Sequence, residues 1–160
     1  MKNIFVTLSS IAILLASGDA LGQEREGAVG VGIESTLAGA AGPALVVQTP
    51  AFHVEGILAF ADQGDETDLI LAGRFWYAIN QTQRSDFSVG GGIGLLFDDN
   101  GGGDNDTDVE LDLGAQLRAF LVPNVALSVS LGFVFVSTAG PNPLALTGDL
   151  LASGGIAYFF

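Results

Sequence analysis

A strict two-residue alternation between Asp108 and Leu121 constrains the fold more than any other feature of the sequence. Its apolar members are Val109, Leu111, Leu113, Ala115, Leu117, Ala119 and Leu121. The residues between them are Asp108, Glu110, Asp112, Gly114, Gln116, Arg118 and Phe120. Because successive side chains of a β-strand point to opposite faces, this pattern predicts a long strand with one entirely apolar face.

The same alternation recurs along the chain. A second run from Val125 to Phe135 follows directly after Pro123 and Asn124, a pair typical of a tight turn. From Ala28 onward there is no helical periodicity, and clusters of Gly, Pro, Asn and Asp separate the alternating runs. We predict eight strands at residues 28–37, 44–49, 52–60, 69–80, 87–98, 108–121, 125–137 and 147–160.

The predicted connections alternate between short and long. The short ones are 49–51, 81–86 and 123–124, and the longer ones are 38–43, 61–68, 99–107 and 138–146. An even number of strands joined in this way predicts an all-β fold, an eight-stranded antiparallel up-and-down transmembrane β-barrel.

The composition of the second strand face indicates which face points outward. That face consists mainly of Gly, Ala and Ser with a few charged residues, which suits a crowded interior better than a water-facing surface. If the apolar face points outward, the solvent it meets is lipid, and tilted strands of ~9 to 11 residues cross a bilayer. The alternatives are a secreted soluble sandwich and a lipocalin-like cup, both of which need a wet outer face.

Composition excludes several functional classes. The 18 acidic residues against 5 basic ones give a net charge of -13, which argues against nucleic acid and anionic membrane surfaces as partners. The chain has no Cys, which excludes disulfides, thiolate metal sites and cysteine catalysis.

The N-terminus has the pattern of an export signal. Lys2 precedes an apolar run from Ile4 to Ala16, and Ala20-Leu21-Gly22 offers a cleavage site. A membrane anchor is the alternative, but this run is shorter than the ~20 residues that a spanning helix needs. We therefore predict a signal peptide at residues 1–22 and a barrel domain at 23–160.

The chain ends in GGIAYFF, with Ile156, Tyr158 and Phe160 on one strand face. With the export signal and the eight alternating runs, this ending resembles the eight-stranded outer-membrane β-barrel family of Gram-negative bacteria, in the style of the outer membrane protein A and X barrels. The resemblance implies an integral outer-membrane protein, monomeric, surrounded by lipid and lipopolysaccharide. It also implies that Ile156, Tyr158 and Phe160 are the signal presented to the barrel assembly machinery.

The two-residue alternation, or parity, of the strands places ten larger side chains inside the predicted barrel. Six are charged and form a predicted ion-pair network: Glu34, Glu55, Arg74, Glu110, Asp112 and Arg118. Four are other residues of the lumen: Gln48, His53, Trp76 and Gln116. Pairing across the predicted hairpins places Glu55 opposite Arg74, His53 opposite Trp76, and Glu34 opposite Gln48. Since isolated buried charges are costly, we expect ion pairs that plug the lumen, with a narrow proton or ion path as the alternative.

The acidic stretch FDDNGGGDNDTDVE raises the possibility of a calcium site. Asp104, Asp106, Asp108 and Glu110 have the every-other-residue spacing of Ca²⁺ ligands. The EF-hand pattern fails because Val109 stands where Gly is needed. A solvated acidic loop outside the cell, with no bound cofactor, is the other interpretation.

No catalytic residue is predicted. The sole His is His53, with no Ser two or three places away in its own strand. The sequence thus predicts a structural or surface-interaction barrel with a plugged lumen and acidic extracellular loops. The alternatives are a small channel or transporter, a lipid-modifying enzyme, and a soluble secreted carrier.

Overall fold

Eight antiparallel strands close into one barrel in the computed structural model, which describes residues 27–62, 67–98, 106–137 and 145–160. The strands are β1 (Val29–Ser35), β2 (Ala41–Gln48), β3 (Phe52–Asp62), β4 (Thr67–Gln81), β5 (Ser85–Asp98), β6 (Asp106–Val122), β7 (Val125–Ser137) and β8 (Ala145–Phe159). Each strand pairs with its neighbours in the chain, and β8 pairs with β1. The predicted eight-stranded antiparallel barrel is confirmed. Within the described residues, no helix has the length and apolar character needed to cross a membrane.

The two ends of the barrel differ in their connections. The turn end carries both ends of the described barrel and the short connections 49–51, 82–84 and 123–124. The loop end carries the connections 36–40, 63–66, 99–105 and 138–144. At the turn end, Thr49 Oγ1 accepts a hydrogen bond from the Phe52 N–H at 3.1 Å, and Thr82 Oγ1 accepts one from the Ser85 N–H at 3.0 Å. These threonines tighten the turns and thereby hold the register of the strands they join.

The connection between β1 and β2 departs from the prediction. β1 ends at Ser35 rather than at residue 37, and β2 begins at Ala41 rather than at residue 44. The Thr36 N–H donates to the Ala40 carbonyl at 2.7 Å, and Gly39 adopts a positive φ of 102°. A tight turn at 36–40 therefore replaces the predicted longer loop at 38–43.

This turn also changes the register of the first hairpin. Glu34 pairs with Gly42, so the predicted pairing of Glu34 with Gln48 is wrong. Pro43 lies inside β2, where it stands just before the first β2–β3 pair, Ala44 with Ile57. Proline is tolerated in a strand where ladder pairing ends, since it lacks the N–H that a central position needs.

The register of the second hairpin agrees with the prediction. Glu55 pairs with Arg74, and His53 pairs with Trp76. On the other side of β4, Arg74 pairs with Gly92 and Trp76 with Gly90. The larger side chains of β4 are thus flanked by glycines on β5, which leave space inside the barrel.

Large apolar side chains cover the outside of the barrel, and the inside is mixed. Exposed outward residues include Ile33, Phe60, Leu71, Phe75, Tyr77, Leu113 and Phe133. Two buried apolar clusters lie inside. One, on β2, β3 and β4, consists of Ala44, Ile57, Ala59, Ile70 and Ala72. The other, toward the turn end, consists of Val46, Phe120, Ala126, Ala157 and Phe159. Polar side chains fill much of the space between these clusters.

Candidate functional site

The barrel interior contains all ten side chains that parity placed there. Each is buried: Glu34, Gln48, His53, Glu55, Arg74, Trp76, Glu110, Asp112, Gln116 and Arg118. Further buried polar residues were not singled out from the sequence: Thr36, Asp86, Ser88, Ser128, Ser130 and Ser153. We refer to this interior as the lumen.

Glu55 on β3 is the centre of the polar lumen. Its carboxylate accepts a hydrogen bond from the Trp76 indole N–H at 3.0 Å and one from the Gln116 amide N–H at 2.9 Å. Since Gln116 donates its amide N–H to Glu55, its oxygen faces His53, whose Nε2 lies 2.7 Å away. In that contact His53 Nε2–H donates to the Gln116 side-chain oxygen. Three strands are thereby joined across the lumen through one carboxylate.

Arg74 on β4 bridges two carboxylates. Its Nε lies 3.2 Å from Asp112 Oδ2 on β6, and its NH1 lies 3.8 Å from Glu55 Oε2. The guanidinium reaches β6 because Gly92, on the intervening strand, has no side chain. A Cβ at Gly92 would lie 2.6 Å from Arg74 Cγ and 3.0 Å from Asp112 Oδ1. Glycine is thus required for the two charged groups to meet.

Arg118 on β6 forms a second, separate ion pair. Its Nε and NH2 donate to Asp86 Oδ1 and Oδ2 at 2.9 and 2.6 Å, a two-pronged contact of the kind that arginine makes best. The guanidinium also lies 5.5 Å from the ring centre of Phe120, within cation–π range. Phe120 in turn packs near Phe159, with ring centres 6.1 Å apart. Charged and aromatic side chains together fill the lumen near the turn end.

Asp86 was missed in the sequence because the predicted strand began one residue later, at Phe87. In the structure β5 begins at Ser85, and Asp86 pairs directly with Arg118. The signal was present, because Asp86 continues the inward parity of Ser88 and Gly90. An acidic residue on the inward face, opposite an inward Arg on the neighbouring strand, is the signal that identifies this ion pair.

Glu34 on β1 contacts β7 rather than its predicted partner. The Ser128 hydroxyl lies 2.8 and 2.7 Å from the two Glu34 carboxylate oxygens and donates to that carboxylate. The carboxylate occupies the space where a side chain at Gly155 would begin. Gln48 is buried farther along β2, where its register partner is His53.

Acidic groups outnumber basic ones in the described lumen. Five carboxylates are buried, at Glu34, Glu55, Asp86, Glu110 and Asp112, against two guanidiniums at Arg74 and Arg118. Within the described residues, several buried atoms lack a protein hydrogen-bond partner: Arg74 NH1 and NH2, Arg118 NH1, Glu110 Oε2 and Asp112 Oδ1. These buried donors and acceptors, together with the ion pairs, make this part of the lumen polar.

The residues of the predicted calcium site are only partly described. Asp104 lies outside the described residues, as does the side chain of Asp106. Asp108 is partly exposed on β6, and Glu110 is buried two residues farther along the strand. Among the described side chains, no three His, Asp or Glu residues come together in a group suited to a metal ion.

His53 has no hydroxyl among its hydrogen-bond partners in the described structure. The partners are the Gln116 amide at 2.7 Å and the Glu55 carboxylate at 3.4 Å. Its ring also stacks near Trp76, with centres 6.4 Å apart. Nucleophilic catalysis needs a base within reach of Ser, Thr or Cys, and this arrangement offers an amide and an acid instead.

The terminal residues lie on the outer face beside β1. Ile156, Tyr158 and Phe160 are exposed, and the Phe160 N–H donates to the Val29 carbonyl at 3.0 Å. The rings of Tyr158 and Phe160 meet edge to face, 5.4 Å apart. The last residues therefore belong to the seam where the barrel closes.

Fold and interior together define a class: a closed eight-stranded antiparallel barrel with buried polar side chains inside and exposed apolar side chains outside. No protein-family model matches the chain, and no curated protein matches it in sequence. Among solved structures, it is similar to the crystal structure of Ail, the attachment invasion locus protein of Yersinia pestis. The two share 16% identity with a TM-score of 0.49, over 86% of this chain and 100% of that chain. The fold assignment rests on the strand pairing itself.

Proposed function

We propose that this chain is an integral outer-membrane β-barrel that acts as a structural or surface-interaction protein. One observation carries the membrane assignment: polar and charged side chains point inward, and large apolar side chains point outward around the barrel. A water-soluble protein of this size does not expose a continuous apolar belt, whereas a barrel in lipid requires one.

The experiment for this location is fractionation combined with gel migration. The full chain is expressed in a Gram-negative host, and its membrane and soluble periplasmic fractions are compared. We expect recovery in the outer-membrane fraction, with migration that differs between heated and unheated samples. Recovery of the mature chain in the soluble fraction would refute the proposal and favour a secreted carrier.

The arrangement of the lumen supports a barrel that does not conduct. Eight strands leave an interior just wide enough for side chains, and here Arg74, Trp76 and Arg118 occupy it. The test is conductance of the purified protein in planar bilayers. We expect no channel activity from the native barrel, and steady conductance would instead support a small channel or transporter.

The contacts of His53 support a role without catalysis, because an amide and a carboxylate surround it.

The surface-interaction part of the proposal is drawn from the acidic stretches at the loop end, which carry much of the net negative charge. Its partners would be lipopolysaccharide, through bridging cations, or surface ligands with basic patches. The measurement is binding of the protein to such ligands, which we expect to be lost when these loops are shortened.

We also propose that the terminal strand serves assembly. Phe160 makes one backbone hydrogen bond at the seam and exposes 79% of its surface, so it contributes little to the packed barrel. Deleting Phe160 is expected to lower insertion in cells more than it lowers the stability of barrels folded in detergent. Equal loss in both assays would contradict a role as an assembly signal.

A further inference from the structure

The 36–40 turn folds into the barrel instead of standing out at the loop end. Thr36 and Leu37 follow directly after β1, at a position where loop residues are usually exposed. Yet they retain only 1% and 2% of their accessible surface. An apolar side chain is therefore held inside a lumen whose other large residues are mostly polar.

Backbone hydrogen bonds give this turn its shape. Within the turn, the Thr36 N–H donates to the Ala40 carbonyl at 2.7 Å and the Gly39 N–H donates to the Thr36 carbonyl at 3.1 Å. Both bonds lie within the turn, which therefore closes back on the end of β1.

Gly132 on β7 makes room for Leu37. A Cβ at Gly132 would meet the Leu113 carbonyl on β6 and would also lie 2.9 Å from Leu37 Cδ1, closer than side-chain carbons normally approach. The absence of a side chain at Gly132 thus creates the space that the leucine fills. The next inward residue toward the turn end is Ser130, which is 1% exposed.

We propose that the 36–40 turn is a stopper for the loop-end half of the lumen, in which the Leu37 side chain, seated beside Gly132, is the seal. When the turn is displaced, water and small cations enter as far as Ser130. Cations are favoured because Glu110 and Asp112 line this half of the lumen, each with a carboxylate oxygen that has no protein partner among the described residues. The inference depends on the barrel fold and not on the membrane location proposed above.

The experiment uses a thiol at Ser130, because the native chain contains no cysteine. The Ser130→Cys barrel is folded in detergent, and its reaction with a cationic and an anionic methanethiosulfonate reagent is followed by mass spectrometry. We expect slow reaction in this background. Adding Leu37→Ala should make the cationic reagent react at least about tenfold faster, because truncating a buried leucine weakens the packed state by that factor or more.

The matched control is Leu45→Ala in the same background, which shortens a leucine on the outer face of β2. It should leave the reaction rate unchanged. Leu37→Val should give an intermediate rate. It is the variant to measure if Leu37→Ala does not fold.

Three results would overturn the inference. The first is fast labelling of Ser130→Cys alone, which would mean that the lumen is not sealed. The second is unchanged labelling after both Leu37 substitutions, or equal acceleration by Leu45→Ala. The third is equal acceleration of the cationic and anionic reagents, which would refute the cation preference. Since all measurements are made in detergent, failure of the membrane proposal would not produce any of them.

Discussion

The two arginines in the lumen are held in different ways. Arg118 meets one carboxylate through two short contacts, 2.9 and 2.6 Å long. Arg74 divides its charge between two carboxylates, at 3.2 Å from Asp112 and 3.8 Å from Glu55. The first is a two-pronged contact with a single carboxylate, and the second is the middle of a network that also includes Trp76 and Gln116.

Register explains the difference. Asp86 and Arg118 are direct cross-strand partners, so their contact spans only the neighbouring strands β5 and β6. Glu55, Arg74, Gly92 and Asp112 follow one another across four strands, β3 to β6, and Arg74 reaches over the glycine. Replacing Arg118 should therefore remove the contacts of one carboxylate, whereas replacing Arg74 should remove those of two.

The largest effect is expected for Arg74→Leu. It leaves Glu55 and Asp112 buried without their shared guanidinium, and breaking a buried pair in this way costs ~3 to 5 kcal/mol of unfolding free energy, here toward the upper value. Urea unfolding in detergent, followed through the fluorescence of Trp76, measures it. The control is Arg84→Leu in an exposed turn, expected to change stability by less than ~0.5 kcal/mol. Equal stability of the two variants would contradict the network.

Arg118→Leu should cost about 3 kcal/mol, because the buried Asp86 carboxylate loses both of its contacts with the guanidinium. The sharper test is recovery on removing the partner. Arg118→Leu with Asp86→Leu removes both charges and should regain most of the lost stability. Arg74→Leu with Glu55→Leu should regain much less, since Asp112 still lacks its contact with the guanidinium. If both double variants recover alike, the distinction between pair and network is wrong.

Gly92→Ala should have a smaller but clear effect. Its new methyl group would clash with Arg74 Cγ at 2.6 Å, and overpacking of this kind costs about 1 to 3 kcal/mol. Gly56→Ala is the matched control, because nothing lies within 4 Å of its new methyl group on the outer face. Denaturant midpoints of the two variants give the comparison, and equal midpoints would show that Gly92 is not needed for the charged contact.

The smallest effect is expected for Asp108→Asn, outside both ion-pair sites. Asp108 is partly exposed, and such substitutions usually change stability by less than ~0.5 kcal/mol. Titration calorimetry with calcium should give no heat for the native barrel. Heat that disappears in Asp108→Asn would instead establish the calcium site at Asp104, Asp106, Asp108 and Glu110.

Much of the architecture was predictable because strand parity is a local property. Alternation alone identified eight strands and the face on which Arg74, Trp76 and Gln116 lie. The register of the β3–β4 hairpin was also predicted correctly, because pairing Phe60 with Leu69 fixes every other pair along two strands that alternate without a break. The β1–β2 hairpin was not, because its tight turn at 36–40 has no proline or Asn-Gly signal to mark it.

The sequence by itself determined that the chain forms alternating strands, that charged side chains share a face with glycines, and that the opposite face is apolar. These properties depend on neighbours along the chain. Only the tertiary structure decided that Glu34 contacts Ser128, that Asp86 pairs with Arg118 and that Leu37 packs inward beside Gly132. Those contacts depend on the stagger of strands around a closed barrel, which brings distant residues across the lumen in a way that no local pattern encodes.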